Sequence, residues 1–225
     1  MTGSGAAVDA PTSRDILAIS PVIPVVVVDD AATAVPLARA LVSGGVRVSE
    51  ITLRTPAGLT AVERVAAEVP EIRVGAGTVT SPELVRAACR AGASFLVLPG
   101  SPDRLLSAAV DSGLALLPGA STITEAMRLV ERGQEVLKFF PAEAAGGRAF
   151  LTAVAGPLPE LTFCPTGGIT AANAASYLAL PNVGCVGGSW LTPGEAMAQG
   201  DWDRVQDLAR AAATLSPPLS PDPGP

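Results

Sequence analysis

The sequence predicts a single-domain α/β protein, a (β/α)8 TIM barrel with an extra N-terminal helix. Three observations carry this expectation. From Val22 onward, short β-branched runs alternate with Ala-, Leu- and Arg-rich segments of helical length, and the alternation repeats eight times. Several helical segments open with Ser or Asp and close on Gly, as capped helices do. At 225 residues and 48% hydrophobic, the chain can bury one full core but is short for two ordinary domains. A doubly wound open sheet shares the alternation, yet no GxGxxG motif opens the first helix.

Taken in order, residues 1–12 are expected to form a disordered tail. The opening MTGSGAAVDAPTSR has neither the basic nor the apolar region of a secretory signal, which points to a cytoplasmic protein. Ser13 to Ile19 reads as the extra helix. VIPVVVV, from Val22 to Val28, reads as a buried first strand, since a membrane helix needs about 20 apolar residues. The helix DAATAVPLARALVSGG follows, then the strands VSEITLR and IRVGAG, the helix SPELVRAACRAGA, and the strands FLVLPG and ALLPG. STITEAMRLVERG is the next helix, VLKFFP the sixth strand, GGRAFLTAVAG a helix, and LTFCPTGG and VGCVGGSW the last two strands. The domain is expected over residues 13–213. Residues 214–225 end in SPPLSPDPGP, too rich in proline to pack, and form a second disordered tail.

Composition narrows the chemistry. A net charge of -6 with few aromatics argues against a nucleic-acid groove. The chain has no histidine, which removes most nucleophile–base triads and histidine-ligated metal sites, so no metal is expected. Cys89, Cys164 and Cys185 form no CxxC pair, which suits a reducing compartment. Proton transfer is left to carboxylates, thiols, Tyr177 and one amine. Of fifteen basic side chains only Lys138 is a lysine, and it lies in an apolar run. Arginine does a lysine's surface work at least as well, but it cannot lose its proton and attack a carbonyl.

Period-two alternation in VSEITLRTP places Glu50, Thr52 and Arg54 on one face of the second strand and Ile51 and Leu53 on the other. In a barrel the apolar face meets the helices, so the polar face points inward. The same logic in VLKFFP sets Lys138 and Phe140 on the inner face of the sixth strand, where alternate strands share interior layers, so Glu50 and Lys138 can meet. Burial and neighbouring like charge favour the neutral, nucleophilic form of an amine. A structural ion pair is the alternative reading of these residues. Two glycine turns, PTGGIT with Gly167 and Gly168 and VGGSW with Gly187, Gly188 and Ser189, follow the last two strands, where this architecture commonly binds phosphate. Gly75, Gly77 and Thr78 in VGAGTVT are less specific and are compatible with a simple turn. Two rivals remain open: another barrel enzyme on a phosphorylated substrate, such as an epimerase, and a noncatalytic binder of a phospho-ligand.

GGVRVSEITLRTP, VGAGTVTSPE, LLPGASTITEAM, VLKFFPAEAAGG, FCPTGGI and GGSWL, in this order and spacing from about Ile16 to Leu208, resemble the class I 2-dehydro-3-deoxy-6-phosphogluconate (KDPG) aldolases, which also act on 4-hydroxy-2-oxoglutarate. The resemblance implies a (β/α)8 barrel and a homotrimer that cleaves KDPG to pyruvate and glyceraldehyde 3-phosphate in the Entner–Doudoroff pathway. It implies Lys138 as the Schiff-base lysine and Glu50 as the general acid/base, with no separate cofactor and no metal. Arg54 and Thr78 would hold the pyruvate carboxylate, and Pro99, Phe140 and Thr166 would line the pocket. Gly167, Gly168, Gly187, Gly188 and Ser189 would take the phosphate. The partner is then a small phosphorylated keto acid, with no nucleic acid and no membrane.

Overall fold

Nine short parallel strands and ten helices alternate along the chain in the computed structural model, which describes residues 11–215. The two expected tails fall almost wholly outside the described residues. Of their inner ends, Thr12 caps the helix α1 (Ser13–Ala18) in a reciprocal box with Asp15, and Thr214 closes the last helix.

The strands are β1 (Val22–Val26), β2 (Val48–Thr52), β3 (Arg73–Gly77), β4 (Phe95–Val97), β5 (Ala115–Leu117), β6 (Gly119–Ala120), β7 (Val136–Phe139), β8 (Thr162–Pro165) and β9 (Val186–Gly188). The helices after α1 are α2 (Ala34–Ser43), α3 (Gly58–Glu68), α4 (Pro82–Arg90), α5 (Asp103–Asp111), α6 (Ile123–Glu131), α7 (Gly147–Val154), α8 (Ala174–Leu178), α9 (Gly194–Gln199) and α10 (Trp202–Ala213). Six strands form one sheet in the order β5-β4-β3-β2-β1-β9, and three form a second in the order β6-β7-β8.

The segment ALLPGA serves both sheets, which differs from the single fifth strand expected. Pro118 has no N–H to donate, so the ladder to β4 stops at Leu117. Pairing resumes one residue later on the other side, where Lys138 N donates to Pro118 O at 2.9 Å and Gly119 lies in register with Lys138. At the far edges, isolated parallel bridges join Phe163 to Val183 and Thr166 to Gly187.

The two faces of the strands carry separate apolar clusters, as period-two alternation requires. The larger one packs strands against helices and includes Ile51, Leu137, Phe139 and Phe163. The smaller one lies on the opposite face, where Val48, Phe95, Leu117 and Val136 meet Ile16 and Leu17 from α1. On that second face Glu50 follows Val48 and Lys138 follows Val136, two residues further toward the C-terminal ends of their strands. No helix among the described residues is long and apolar enough to cross a membrane.

Candidate active site

Glu50 on β2 and Lys138 on β7 meet across the inner face. Lys138 Nζ donates to Glu50 Oε1 at 3.3 Å, and Lys138 is only 3% and Glu50 only 2% exposed. Bringing both charges out of water costs several kcal/mol per ion in a protein interior, so the fold tolerates each only because the other is there. The amine also stands 5.3 Å from the centre of the Phe140 ring, close enough for a cation–π contact.

Two strand glycines, each compatible in sequence with a simple turn, make room on this face, and Gly77 does so for Glu50 itself. A methyl group on Gly77 would lie 2.0 Å from Glu50 Oε1, and one on Gly75 would lie 2.4 Å from the Phe95 ring. Both belong to β3, so their smallness serves close approach within a sheet. Gly119, the register partner of Lys138, plays a similar part: a methyl group there would lie 2.5 Å from the backbone of Pro99, which brings the end of β4 close to the lysine's strand.

Arg54 departs from the expected placement. β2 ends at Thr52, whose hydroxyl bonds Val26 O at 2.9 Å, and the chain then turns toward α3, so Arg54 is an exposed rim residue and not an inward strand residue. Its Nε donates to Thr78 Oγ1 at 3.0 Å. Thr78 is the one non-glycine residue with positive φ among the described residues, at +56°. A β-branched residue in the left-handed region stores on the order of 1–3 kcal/mol of strain, and such strain concentrates at functional sites.

The glycine turns close the other side. Thr166 is buried, its N donates to Phe139 O at 2.9 Å, and its hydroxyl fills the space left by Gly187, where a methyl group would lie 2.2 Å from Oγ1. Gly167 and Gly168 have φ of +101° and +79°, conformations that side chains rarely adopt. Gly188 makes room for the Trp190 ring, and Ser189 is exposed just beyond it. Beside the site, a cleft of about 530 Å³ is lined by Gly100, Ser101, Asp103, Gly119 and Arg128 among others; it shares Gly119 with the lysine's strand but does not include Lys138 or Glu50.

The thiols offer a poorer nucleophile. Cys164 and Cys185 are buried, and burial first, then the neighbouring Cys164, pushes the Cys185 thiol well up, so it stays protonated. Among the described residues no three His, Cys, Asp or Glu side chains gather where they could hold a metal ion.

A parallel α/β scaffold that seals the chain's one lysine against a carboxylate is an arrangement that the class of Schiff-base enzymes can use. Within that class, the chain belongs to the KDPG and KHG aldolase family, whose model matches residues 14–208. It is 50% identical over 201 residues to the KHG/KDPG aldolase of Escherichia coli strain K12, covering 89% of this chain and 94% of that one. Among solved structures, it is similar to the KDPG aldolase of Legionella pneumophila with pyruvate captured at low pH as a covalent carbinolamine intermediate, with a TM-score of 0.89 and 43% identity over 91% of this chain and 99% of that one. The Zymomonas mobilis ZM4 2-keto-3-deoxy-6-phosphogluconate aldolase with 3-phosphoglycerate gives a TM-score of 0.86 and 41% identity over 91% of this chain and 96% of that one.

Proposed function

We propose that this protein is a Schiff-base aldolase that cleaves KDPG to pyruvate and glyceraldehyde 3-phosphate and also acts on 4-hydroxy-2-oxoglutarate. The observation that carries the proposal is the buried Lys138–Glu50 pair at 3.3 Å in a chain with no other lysine and no histidine. The names of its relatives and the carbinolamine of the Legionella enzyme support the same chemistry.

In the proposed mechanism, Glu50 takes the proton that Lys138 must shed, and the neutral amine adds to the C2 ketone. Glu50 hands that proton to the carbinolamine hydroxyl, which leaves as water and gives a protonated imine; the imine draws electrons from the C3–C4 bond. Glu50, through a water, removes the C4 hydroxyl proton; the bond breaks, the aldehyde leaves, and an enamine remains on the lysine. Glu50 returns a proton to C3, and water hydrolyses the imine to release pyruvate and the free amine. A carboxylate and water suffice for every proton moved, and the iminium supplies the electrophile, so the reaction needs no separate cofactor.

The remaining roles are those that the family resemblance implies. Arg54 and Thr78, already hydrogen-bonded to each other, would receive the pyruvate carboxylate at the rim. Pro99, Phe140 and Thr166 would line the pocket, and Gly167, Gly168, Gly187, Gly188 and Ser189 would take the phosphate. We further propose that residues 13–213 form one domain in which both sheets act as one closed eight-stranded barrel, a reading supported by the shared segment ALLPGA and the two edge bridges. A cytoplasmic homotrimer completes the proposal.

Borohydride reduction with pyruvate tests the covalent step. One reduced pyruvyl group is expected at Lys138, and peptide mapping is clean because the N-terminus is the only other amine. A label found there, or nowhere, would reject the Schiff base. Gly77→Ala tests the support of Glu50. Its methyl group would collide with the carboxylate while the ordinary backbone of β3 accepts alanine, so aldol turnover is expected to fall by about 10²-fold, the cost of a misplacement near 1 Å, with an unchanged circular dichroism spectrum. Parental turnover in Gly77→Ala would mean that the position of Glu50 does not matter.

A further inference from the structure

The segment after β7 carries a second carboxylate, Glu143, that the mechanism leaves unused. It receives the hydroxyl of Tyr177, the one tyrosine in the chain, which lies wholly buried on α8. Burial first, then the hydrogen bond and charge of Glu143, pushes the phenol up from its usual range, with Arg148 opposing, so Tyr177 is a permanent donor.

Glu143 rests on the glycine turn proposed for the phosphate. Its N donates to Gly167 O at 3.1 Å, and the preceding Ala142 N donates to Thr166 O at 2.8 Å. A methyl group on Gly168 would lie 2.5 Å from Glu143 Cγ and 2.7 Å from its Cβ, so the stem lies flat against the turn. On α7, a methyl group on Gly147 would lie 2.9 Å from the Tyr177 oxygen, so glycine is needed there as well. From the other side, Asn173 Nδ2 donates to Gly168 O at 3.1 Å while its Oδ1 accepts from Thr170 N at 2.8 Å. The turn is thus gripped between Glu143 and Asn173. An unanchored carboxylate could swing off the turn and leave Gly168 held from the Asn173 side alone. The tyrosine ties that carboxylate to α8.

We propose that Glu143 and Tyr177 are positioning residues that hold the Gly167–Gly168 amides for the phosphate, and so set the preference for phosphorylated over unphosphorylated substrate. The proposal rests on the reading of this turn as the phosphate site. It acts on substrate binding at the phosphate end of the site.

Kinetics with KDPG and with unphosphorylated 4-hydroxy-2-oxoglutarate test it. Tyr177→Phe removes the donor and keeps the ring. The KM for KDPG is expected to rise about tenfold, the worth of one hydrogen bond to a charged group, with kcat within about twofold and both constants for 4-hydroxy-2-oxoglutarate unchanged. Glu143→Ala, which leaves the buried Tyr177 hydroxyl without its acceptor and is checked for folding by its thermal transition, should give the same selective loss, and Glu143→Gln, which keeps the stem and an acceptor oxygen, should recover most of it. An equal effect on both substrates, a fall in kcat, or no effect at all would overturn the proposal. Ser189→Ala, measured in parallel, separates the positioning roles from the phosphate reading. If Ser189→Ala discriminates between the substrates and the Tyr177 and Glu143 variants do not, only the positioning roles are wrong; if none of them discriminates, the phosphate reading fails and the proposal falls with it.

Discussion

Lys138→Arg is expected to abolish both borohydride trapping of pyruvate and exchange of its methyl protons with deuterated water. Arginine keeps the positive charge and can still donate to Glu50, so the buried carboxylate is not left alone. Its guanidinium stays protonated at any working pH and cannot add to a ketone. The choice of variant matters on energetic grounds. Truncating the lysine to alanine would strand Glu50, 2% exposed, without a counter-charge, and breaking a buried pair in that way typically costs about 3–5 kcal/mol. A loss of activity in that variant would then report unfolding as readily as lost chemistry. With Lys138→Arg, a thermal transition close to the parent together with complete loss of exchange assigns the loss to the missing amine. Persistent exchange would mean that the covalent mechanism is wrong and that the lone lysine is only an ion-pair partner.

The parts of this site that can be read along one strand are legible in the sequence, and the parts that depend on what lies beside a strand are not. Alternation in VSEITLR and VLKFFP is enough to put Glu50 and Lys138 on one face, because the side-chain period of a strand is fixed by its backbone. The same alternation misplaces Arg54, since nothing in the local pattern marks the end of β2 at Thr52. The split of ALLPGA follows from Pro118, a visible residue whose effect depends on which neighbour needs its missing N–H. Gly77 carries its meaning only through register with β2: opposite Thr52, it faces the space that Glu50 occupies. Tyr177 and Glu143 lie 34 positions apart, beyond the reach of any periodicity, and the only available signal is that a chain with one tyrosine keeps it. The glycine turns are legible as turns, but the buried Thr166–Gly187 contact that joins them is not.

Glu50→Gln separates the proton-transfer role from the covalent one. Glutamine keeps the volume that Gly77 leaves open and an oxygen that can accept from Lys138 Nζ, so the geometry of the pair is preserved while its base is removed. Imine formation is expected to persist in weakened form, because the amine remains. Exchange of the methyl protons of bound pyruvate is expected to fall by about 10²–10⁴-fold, the usual worth of a positioned general acid or base. The two readouts give different signatures for the two residues: Lys138→Arg loses trapping and exchange together, whereas Glu50→Gln keeps trapping and loses exchange. Electrostatics sharpens the comparison. The carboxylate is sealed from solvent with the amine as its neighbour, so no bulk buffer can take its place without opening the site. Exchange in Glu50→Gln is therefore not expected to recover with added small carboxylates, and the isosteric variant tests the proton directly. Exchange at the parental rate in Glu50→Gln would show that the carboxylate only balances the charge of Lys138, and the base would then have to be another group within reach of C3.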